Sequence, residues 1–213
     1  MILLTGFEPF GGDSTNPSWT AVVQAAGKLR AEGLRVEAVQ LPCVFGESVE
    51  VLSRAIDGYQ PDVVLSVGLA GGRSRLSLER VAINCDDARI PDNKGQRPID
   101  QEVVPGGPAA YFTTLPIKAA LRNLQIEGIR AEVSQSAGTY VCNHVFYALM
   151  HAVQARTGAR GGFVHVPYAS EQIPPGSDTP SMPLESMARG IAAVIRTAVH
   201  NSVDANLSAG AIH

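Results

Sequence analysis

No apolar run in this sequence approaches the ~20 residues that a bilayer-spanning helix requires, so no membrane partner is expected. There is no basic stripe and no charged tail. The acidic and basic residues are dispersed and sum to −3, which leaves no electrostatic footprint for nucleic acid. Cysteine is scarce. Cys43, Cys85 and Cys142 are an odd number without metal-type pairing, which argues against a disulfide framework and for reduced thiols in a cytoplasmic setting. The opening Met1-Ile2-Leu3-Leu4-Thr5-Gly6 lacks the basic region and small-residue cleavage site of a secretory signal, and reads as a buried strand. Lysine occurs only at Lys28, Lys94 and Lys118, a bias that reads as genome composition. No internal repeat is visible.

What is present is a chain of 213 residues, 45% of them hydrophobic, enough for one sizeable core and a single domain over 1–213. Strand-like runs fall at 2–5, 36–41, 63–67, 76–83, 131–134 and 163–166, with helical patterns between them. The first helix opens with Asn16 as cap and Pro17 in the first helical position. Others cover 47–56, a stretch from Pro116 to just before Gly128, 141–156 with Gly158 as stop, and 184–199. This alternation predicts an α/β three-layer sandwich, a mixed but mainly parallel sheet with helices on both faces. The run Val63-Val64-Leu65-Ser66-Val67 is almost uniformly apolar, as expected of a strand covered on both sides. Ligands in such folds gather beyond the carboxyl ends of the strands. Four loops meet that description: the one at Gly6–Gly12, the one at Gly68–Arg73, the turn before Cys142, and His165-Val166-Pro167. The polar stretch 86–108 is too long for an ordinary connection and is expected to be functional. The stretch 174–180 resembles a flap, and 202–213 has little to bury and is expected to fray.

Cys142 stands where a strand turns into a helix. A thiol in the first turn faces unpaired backbone N–H groups and the positive end of the helix dipole, both of which favour the nucleophilic thiolate. The bland alternative is a small buried hydrophobe. A cysteine nucleophile needs a base, and the base needs an orienting group. His144 lies two positions on and points elsewhere on the helix, His151 lies more than two turns away, and His200 and His213 are in the terminal region. His165 ends a strand at the same sheet edge as the cysteine turn and is the best candidate base. Glu79, an acid in an alternating apolar run, needs a specific partner if buried. That partner is either His165 or an arginine such as Arg73 or Arg75. Asp86 and Asp87 are rival acids that turn formation explains adequately. The N–H groups around Cys142, with Arg89 or Arg73, are possible oxyanion donors. Gly71-Gly72-Arg73 equally suits a phosphate, so a phosphorylase-like α/β enzyme is the alternative reading. A zinc site from Cys142, His144 and His165 has poor ligand spacing, and no metal is expected.

The words around these residues occur in a specific order. They are Thr5-Gly6-Phe7-Glu8-Pro9-Phe10-Gly11-Gly12, Asn16-Pro17-Ser18-Trp19, Ala70-Gly71-Gly72-Arg73, Glu79-Arg80-Val81-Ala82-Ile83-Asn84, Asp87-Ala88-Arg89-Ile90-Pro91-Asp92-Asn93, Ser136-Ala137-Gly138-Thr139-Tyr140-Val141-Cys142-Asn143 and Gly162-Phe163-Val164-His165-Val166-Pro167. Over nearly the whole chain this resembles the pyroglutamyl peptidase I, or pyrrolidone-carboxylate peptidase, family. The resemblance implies a cytosolic cysteine peptidase, without cofactor and commonly homotetrameric, that acts on pyroglutamyl peptides. It implies Cys142 as nucleophile, His165 as base and Glu79 as the group holding the imidazole. It also implies Arg89 near the oxyanion and Phe7, Phe10 and Ile90 around the lactam. Leu69 stands where glutamine is usual, and Tyr140 where phenylalanine is usual. These departures bear on substrate affinity more than on reaction type: the first position contributes backbone hydrogen bonds, and the second serves as a wall if its hydroxyl finds a partner.

Overall fold

The computed structural model describes residues 1–210; positions 211–213, including His213, lie outside the described residues. In chain order the elements are β1 (Ile2–Phe7), α1 (Pro17–Ala31), β2 (Val36–Leu41), α2 (Glu47–Tyr59), β3 (Val63–Leu69), β4 (Leu76–Glu79), β5 (Val81–Ile83), β6 (Ala110–Phe112), α3 (Ile117–Ile126), β7 (Ala131–Ser134), α4 (Val141–Gln154), β8 (Arg160–Val166), β9 (Tyr168–Ala169), β10 (Ser181–Met182) and α5 (Leu184–His200). Six strands form the central sheet in the order β2-β1-β3-β8-β4-β7. Every neighbouring pair is parallel except β4 with β8. The expected mixed, mainly parallel α/β sandwich is the observed architecture.

The inner strands β1 and β3 are buried along their whole length, and side-chain parity divides them between two cores. Ile2, Leu4, Leu65, Val67, Leu76, Leu78, Val164 and Val166 join α1, α3 and α5 on one face. Leu3, Val64 and Phe163 join α2 and α4 on the other. At the head of α1, Asn16 Oδ1 accepts from the Ser18 N–H at 3.0 Å, and Pro17 takes the first helical position, where its missing N–H costs nothing.

The run 76–83 is not one strand. At Arg80 the chain leaves the central sheet: the Arg80 N–H donates to Ser134 O at 2.9 Å, and its carbonyl accepts from the Thr113 N–H at 2.9 Å. Beyond that point β5 pairs antiparallel with β6 in a separate two-stranded sheet. An unbroken alternating pattern hides this change, because two short strands in different sheets share the same period. The stretch 86–108 is irregular but cross-tied, with Asp86 and Gln101 exchanging backbone hydrogen bonds at 2.7 and 3.0 Å. The stretch 174–180 has no helix or strand.

The terminal segment differs from the expected fraying. Residues 202–210 carry no helix or strand, yet Asp204 Oδ1 accepts from the N–H groups of Lys118 and Ala119 at 3.0 and 2.9 Å. It thereby supplies the cap that Pro116 does not give α3. Ala209 O accepts from Arg80 Nη2 at 3.3 Å. These hydrogen bonds, with Ala209 packed against the α1-side core, tie the segment down.

Candidate active site

Residue parity brings the candidate groups to one face. Val164 and Val166 point into the α1 side, which turns His165, like Phe163, toward α4. Leu76 and Leu78 do the same for β4, which turns Glu79 toward α4. In β3, Val67 faces the α1 side and Gly68 the other, and Gly68 is the register partner of His165.

Glu79 is completely buried and His165 nearly so. His165 Nδ1 donates to Glu79 Oε1 at 2.8 Å, which leaves Nε2 as the acceptor nitrogen of the neutral ring. Arg73 Nη1 donates to the same oxygen at 2.7 Å. The two partners weighed for Glu79 from sequence are therefore both present, on one oxygen, while Oε2 has no hydrogen-bond partner among the described residues.

Cys142 is the second residue of α4, and its sulfur rests against Gly68. A β-carbon at position 68 would lie 2.7 Å from Cys142 Sγ and 2.9 Å from Phe163 Cζ, so only glycine leaves room for the sulfur. The Phe163 and His165 rings have centroids 4.9 Å apart. Thiol and imidazole therefore occupy adjoining places on the same side of the sheet. Tyr140 precedes α4 in an extended conformation and makes no side-chain cap, so no N-cap side chain occupies the first-turn N–H groups.

Burial pushes the Cys142 thiol upward; Cys43 and Glu79 add to that push, and Arg73 opposes it. Burial also lowers His165, against the hydrogen bond and charge of Glu79, which raise it. Both directions favour a neutral thiol beside a neutral imidazole at rest. Desolvation thus opposes the thiolate that the helix position favours. A neutral pair of this kind can pass its proton from sulfur to Nε2 as the sulfur attacks.

Aromatic side chains pack in the same core cluster as Cys142. Phe7 is buried with its ring 6.4 Å from that of Phe163. The Tyr140 ring lies 6.3 Å from Phe10 and meets Phe45 edge-on at 5.4 Å. The Tyr140 hydroxyl donates to Pro91 O at 3.0 Å, so the extra oxygen has its partner and binds the 86–108 stretch to α4. Leu69, at the end of β3, is buried. Arg89 is exposed, and Ile90 is half-exposed at 50%. Neither belongs to the buried group around Glu79. Sequence reasoning missed Phe45; its neighbours in sequence carry no signal, and only the tertiary fold sets it against Tyr140. It likewise missed the brace formed by Glu8, whose Oε1 accepts from the Cys43 N–H and Asn93 Nδ2 at 3.0 and 2.9 Å.

A thiol beside an imidazole oriented by a buried carboxylate, on an α/β sheet, is the equipment of a cysteine hydrolase. Comparison with known proteins is specific about which kind. The family model described as pyroglutamyl peptidase matches residues 1–201. The pyrrolidone-carboxylate peptidase of Klebsiella pneumoniae is 53% identical over 212 residues, covering 100% of this chain and 99% of that protein. The one from Clavibacter michiganensis is 52% identical over 211 residues, covering 99% and 98%. Among solved structures, pyroglutamyl peptidase I from Bacillus amyloliquefaciens superposes with a TM-score of 0.91 at 45% identity, covering 97% of this chain and 98% of that one. The pyrrolidone carboxyl peptidase of Thermococcus litoralis gives 0.85 at 37% identity, covering 93% of each. The chain belongs to the pyroglutamyl peptidase family.

Proposed function

We propose that this protein removes the N-terminal pyroglutamyl residue from peptides, with Cys142 as nucleophile, His165 as general base and acid, and Glu79 as the group that orients the imidazole. The observation that carries this reading is the Glu79–His165 hydrogen bond lying beneath the α4 terminus whose Cys142 sulfur rests on Gly68, the neighbour of His165.

In the first step Cys142 Sγ attacks the carbonyl carbon joining pyroglutamate to the next residue, and its proton passes to His165 Nε2. The tetrahedral oxyanion is met by the first-turn N–H groups of α4, and the family resemblance adds Arg89 as a cation for it. His165 then protonates the departing amine, which leaves a thioester on Cys142. Water, deprotonated by the same imidazole, releases pyroglutamate and restores the thiol. Glu79 keeps Nδ1 protonated and supports the imidazolium.

Pyroglutamate is a compact, uncharged lactam, which suits an apolar pocket with few aimed polar groups. Phe7, Phe10, Ile90 and Tyr140 are the proposed walls, and the backbone at Leu69 is the proposed source of hydrogen bonds to the ring. Proline would leave those groups unpaired and bring a charged amine into the same space, so prolyl amides are expected to be poor substrates. The same reading takes the chain as a single cytoplasmic peptidase domain that works without a cofactor and assembles as a homotetramer. The odd, unpaired cysteines fit a reducing compartment, and the family resemblance is the support for the tetramer.

The test is release of a fluorescent amine from a pyroglutamyl amide. Turnover should vanish after iodoacetamide and in Cys142→Ala while the circular dichroism spectrum stays unchanged. Undiminished turnover in folded Cys142→Ala would refute the assignment.

A further inference from the structure

We propose that Arg73 is a positioning residue of this site: its guanidinium bridges Glu79 and the turn before Cys142, and balances the carboxylate's charge throughout the reaction. The inference rests on the reading of Cys142, His165 and Glu79 given above. Its basis is the arrangement of partners around a carboxylate that is 0% exposed. Glu79 Oε1 receives Arg73 Nη1 at 2.7 Å and His165 Nδ1 at 2.8 Å, while Oε2 receives nothing from the described residues. His165 must change its charge during turnover, so it cannot be the permanent counterion of a buried acid. A guanidinium does not lose its proton and can be.

Arg73 keeps the net charge of the site at zero before and after the proton moves. At rest the site holds neutral Cys142, neutral His165, anionic Glu79 and cationic Arg73. After the proton crosses to His165 it holds a thiolate, an imidazolium, Glu79 and Arg73. Both states sum to zero. Without Arg73 both carry one uncompensated negative charge in a buried place, where isolated charge is costly. The thiolate would then form beside an unbalanced anion.

The second contact is mechanical. Arg73 Nη2 donates to Ser136 O at 3.3 Å, in the turn that delivers Cys142 to the head of α4. One side chain therefore ties the acid to the segment leading into the nucleophile. Gly72, at φ +86°, makes the left-handed turn that precedes Arg73. This inward engagement gives the Gly-Gly-Arg motif a role without any phosphate.

The groups facing the thiol and imidazole are Glu79 from β4, Arg73 from the β3–β4 loop, Cys43 from the loop after β2 and Tyr140 from the turn into α4. Arg73 is the sole permanent cation among these four. It lowers both Cys142 and His165, so its neutral replacement should raise both.

The experiment compares Arg73→Gln and Arg73→Lys in the full-length protein. It follows the pH dependence of kcat/KM on a pyroglutamyl amide and of the rate at which iodoacetamide alkylates Cys142. Arg73→Gln should lose roughly 30-fold in kcat near neutral pH with KM little changed. Both limbs of its profile, and the alkylation curve, should move to higher pH. Arg73→Lys keeps the charge but cannot bridge two acceptors as a guanidinium fork does, so its limbs should stay in place while kcat falls about 5-fold. Unmoved limbs in Arg73→Gln, or full kcat in Arg73→Lys, would overturn the proposal, and the lysine variant alone decides it if the glutamine variant does not fold. Should the wild-type protein cleave no pyroglutamyl amide, the alkylation curves still report whether Arg73 governs the thiol.

Discussion

Two buried imidazole–carboxylate pairs lie close to Cys142, and their difference is more instructive than either alone. His165 gives Nδ1 to Glu79 at 2.8 Å, and His144 gives Nδ1 to Asp86 at 2.7 Å. In each pair the carboxylate has one oxygen without a partner among the described residues, and each histidine is under 10% exposed. The pairs part at the second ring nitrogen. His144 Nε2 accepts the Gly46 N–H at 3.0 Å and is thereby used up. Gly46 sits at φ +76° at the head of α2, so this bond secures a backbone turn that only glycine adopts easily. The His144 ring also meets Phe45 edge-on at 5.3 Å. His144 is a strut for the aromatic wall. Among the described residues His165 Nε2 makes no hydrogen bond; it lies on the face where the Cys142 sulfur rests, and its acid is further held by Arg73. Burial and an acid make a rigid imidazole; only a vacant nitrogen beside a nucleophile lets it act as a base.

Substitution should separate the two roles. The largest effect is expected for His165→Gln, with kcat/KM falling about a thousandfold to ten-thousandfold while the circular dichroism spectrum stays that of the parent. Activity within tenfold of the parent would erase the distinction. In His144→Ala the effect should move from chemistry to stability. Asp86 and the Gly46 N–H lose their partner, and urea unfolding should show a loss of about 2–4 kcal/mol. Its kcat/KM, measured where the protein is still folded, should stay within about tenfold of the parent, since the strut touches no reacting atom. A collapse of kcat as deep as that of His165→Gln would show that the second pair shares in the chemistry.

The smallest expected effect concerns acid stability. Burial holds His165 below its ordinary value of 6.5, so below that pH the unfolded chain binds a proton that the folded chain refuses. The resulting contribution is present above 6.5 and is lost as pH falls toward the folded-state value. His165→Gln removes that proton, so its melting temperature should drop less than the parent's between pH 7.5 and pH 5. Equal drops would mean that His165 is not held neutral by its surroundings.

Much of the scaffold is legible residue by residue. Asn16-Pro17 announces the start of α1 because capping chemistry is local, and Val63-Val64-Leu65 announces a doubly covered strand because parity is local. Cys142, Glu79 and His165 stand out as candidates because each is chemically out of place in its own element. The break at Arg80 is not legible, since the alternation runs on through it and the partner strand β6 lies some thirty residues away. The tether from Asp204 to the head of α3 is not legible either, because an acid in a polar tail looks the same whether it is docked or solvated. Phe45 is an ordinary residue in an ordinary loop until the fold brings Tyr140 to it, and Arg73 and His165 look like rivals for Glu79 until the fold sets both on one oxygen.

Sequence alone therefore settled the periodicities, the Asn16-Pro17 start of α1, the α/β alternation and the ordered motifs that place the chain in its family, because all of these depend on neighbours along the backbone. It set the end of α4 too late, at Gly158, whereas the helix closes at Gln154 with Ala155 as its cap. Tertiary structure alone decided which histidine keeps a vacant nitrogen and that one buried oxygen serves both an arginine and an imidazole. It also decided that the Cys142 sulfur has only a glycine beneath it. The reason is physical: Glu79 and His165 are 86 residues apart, and hydrogen bonding and desolvation depend on which groups meet in space.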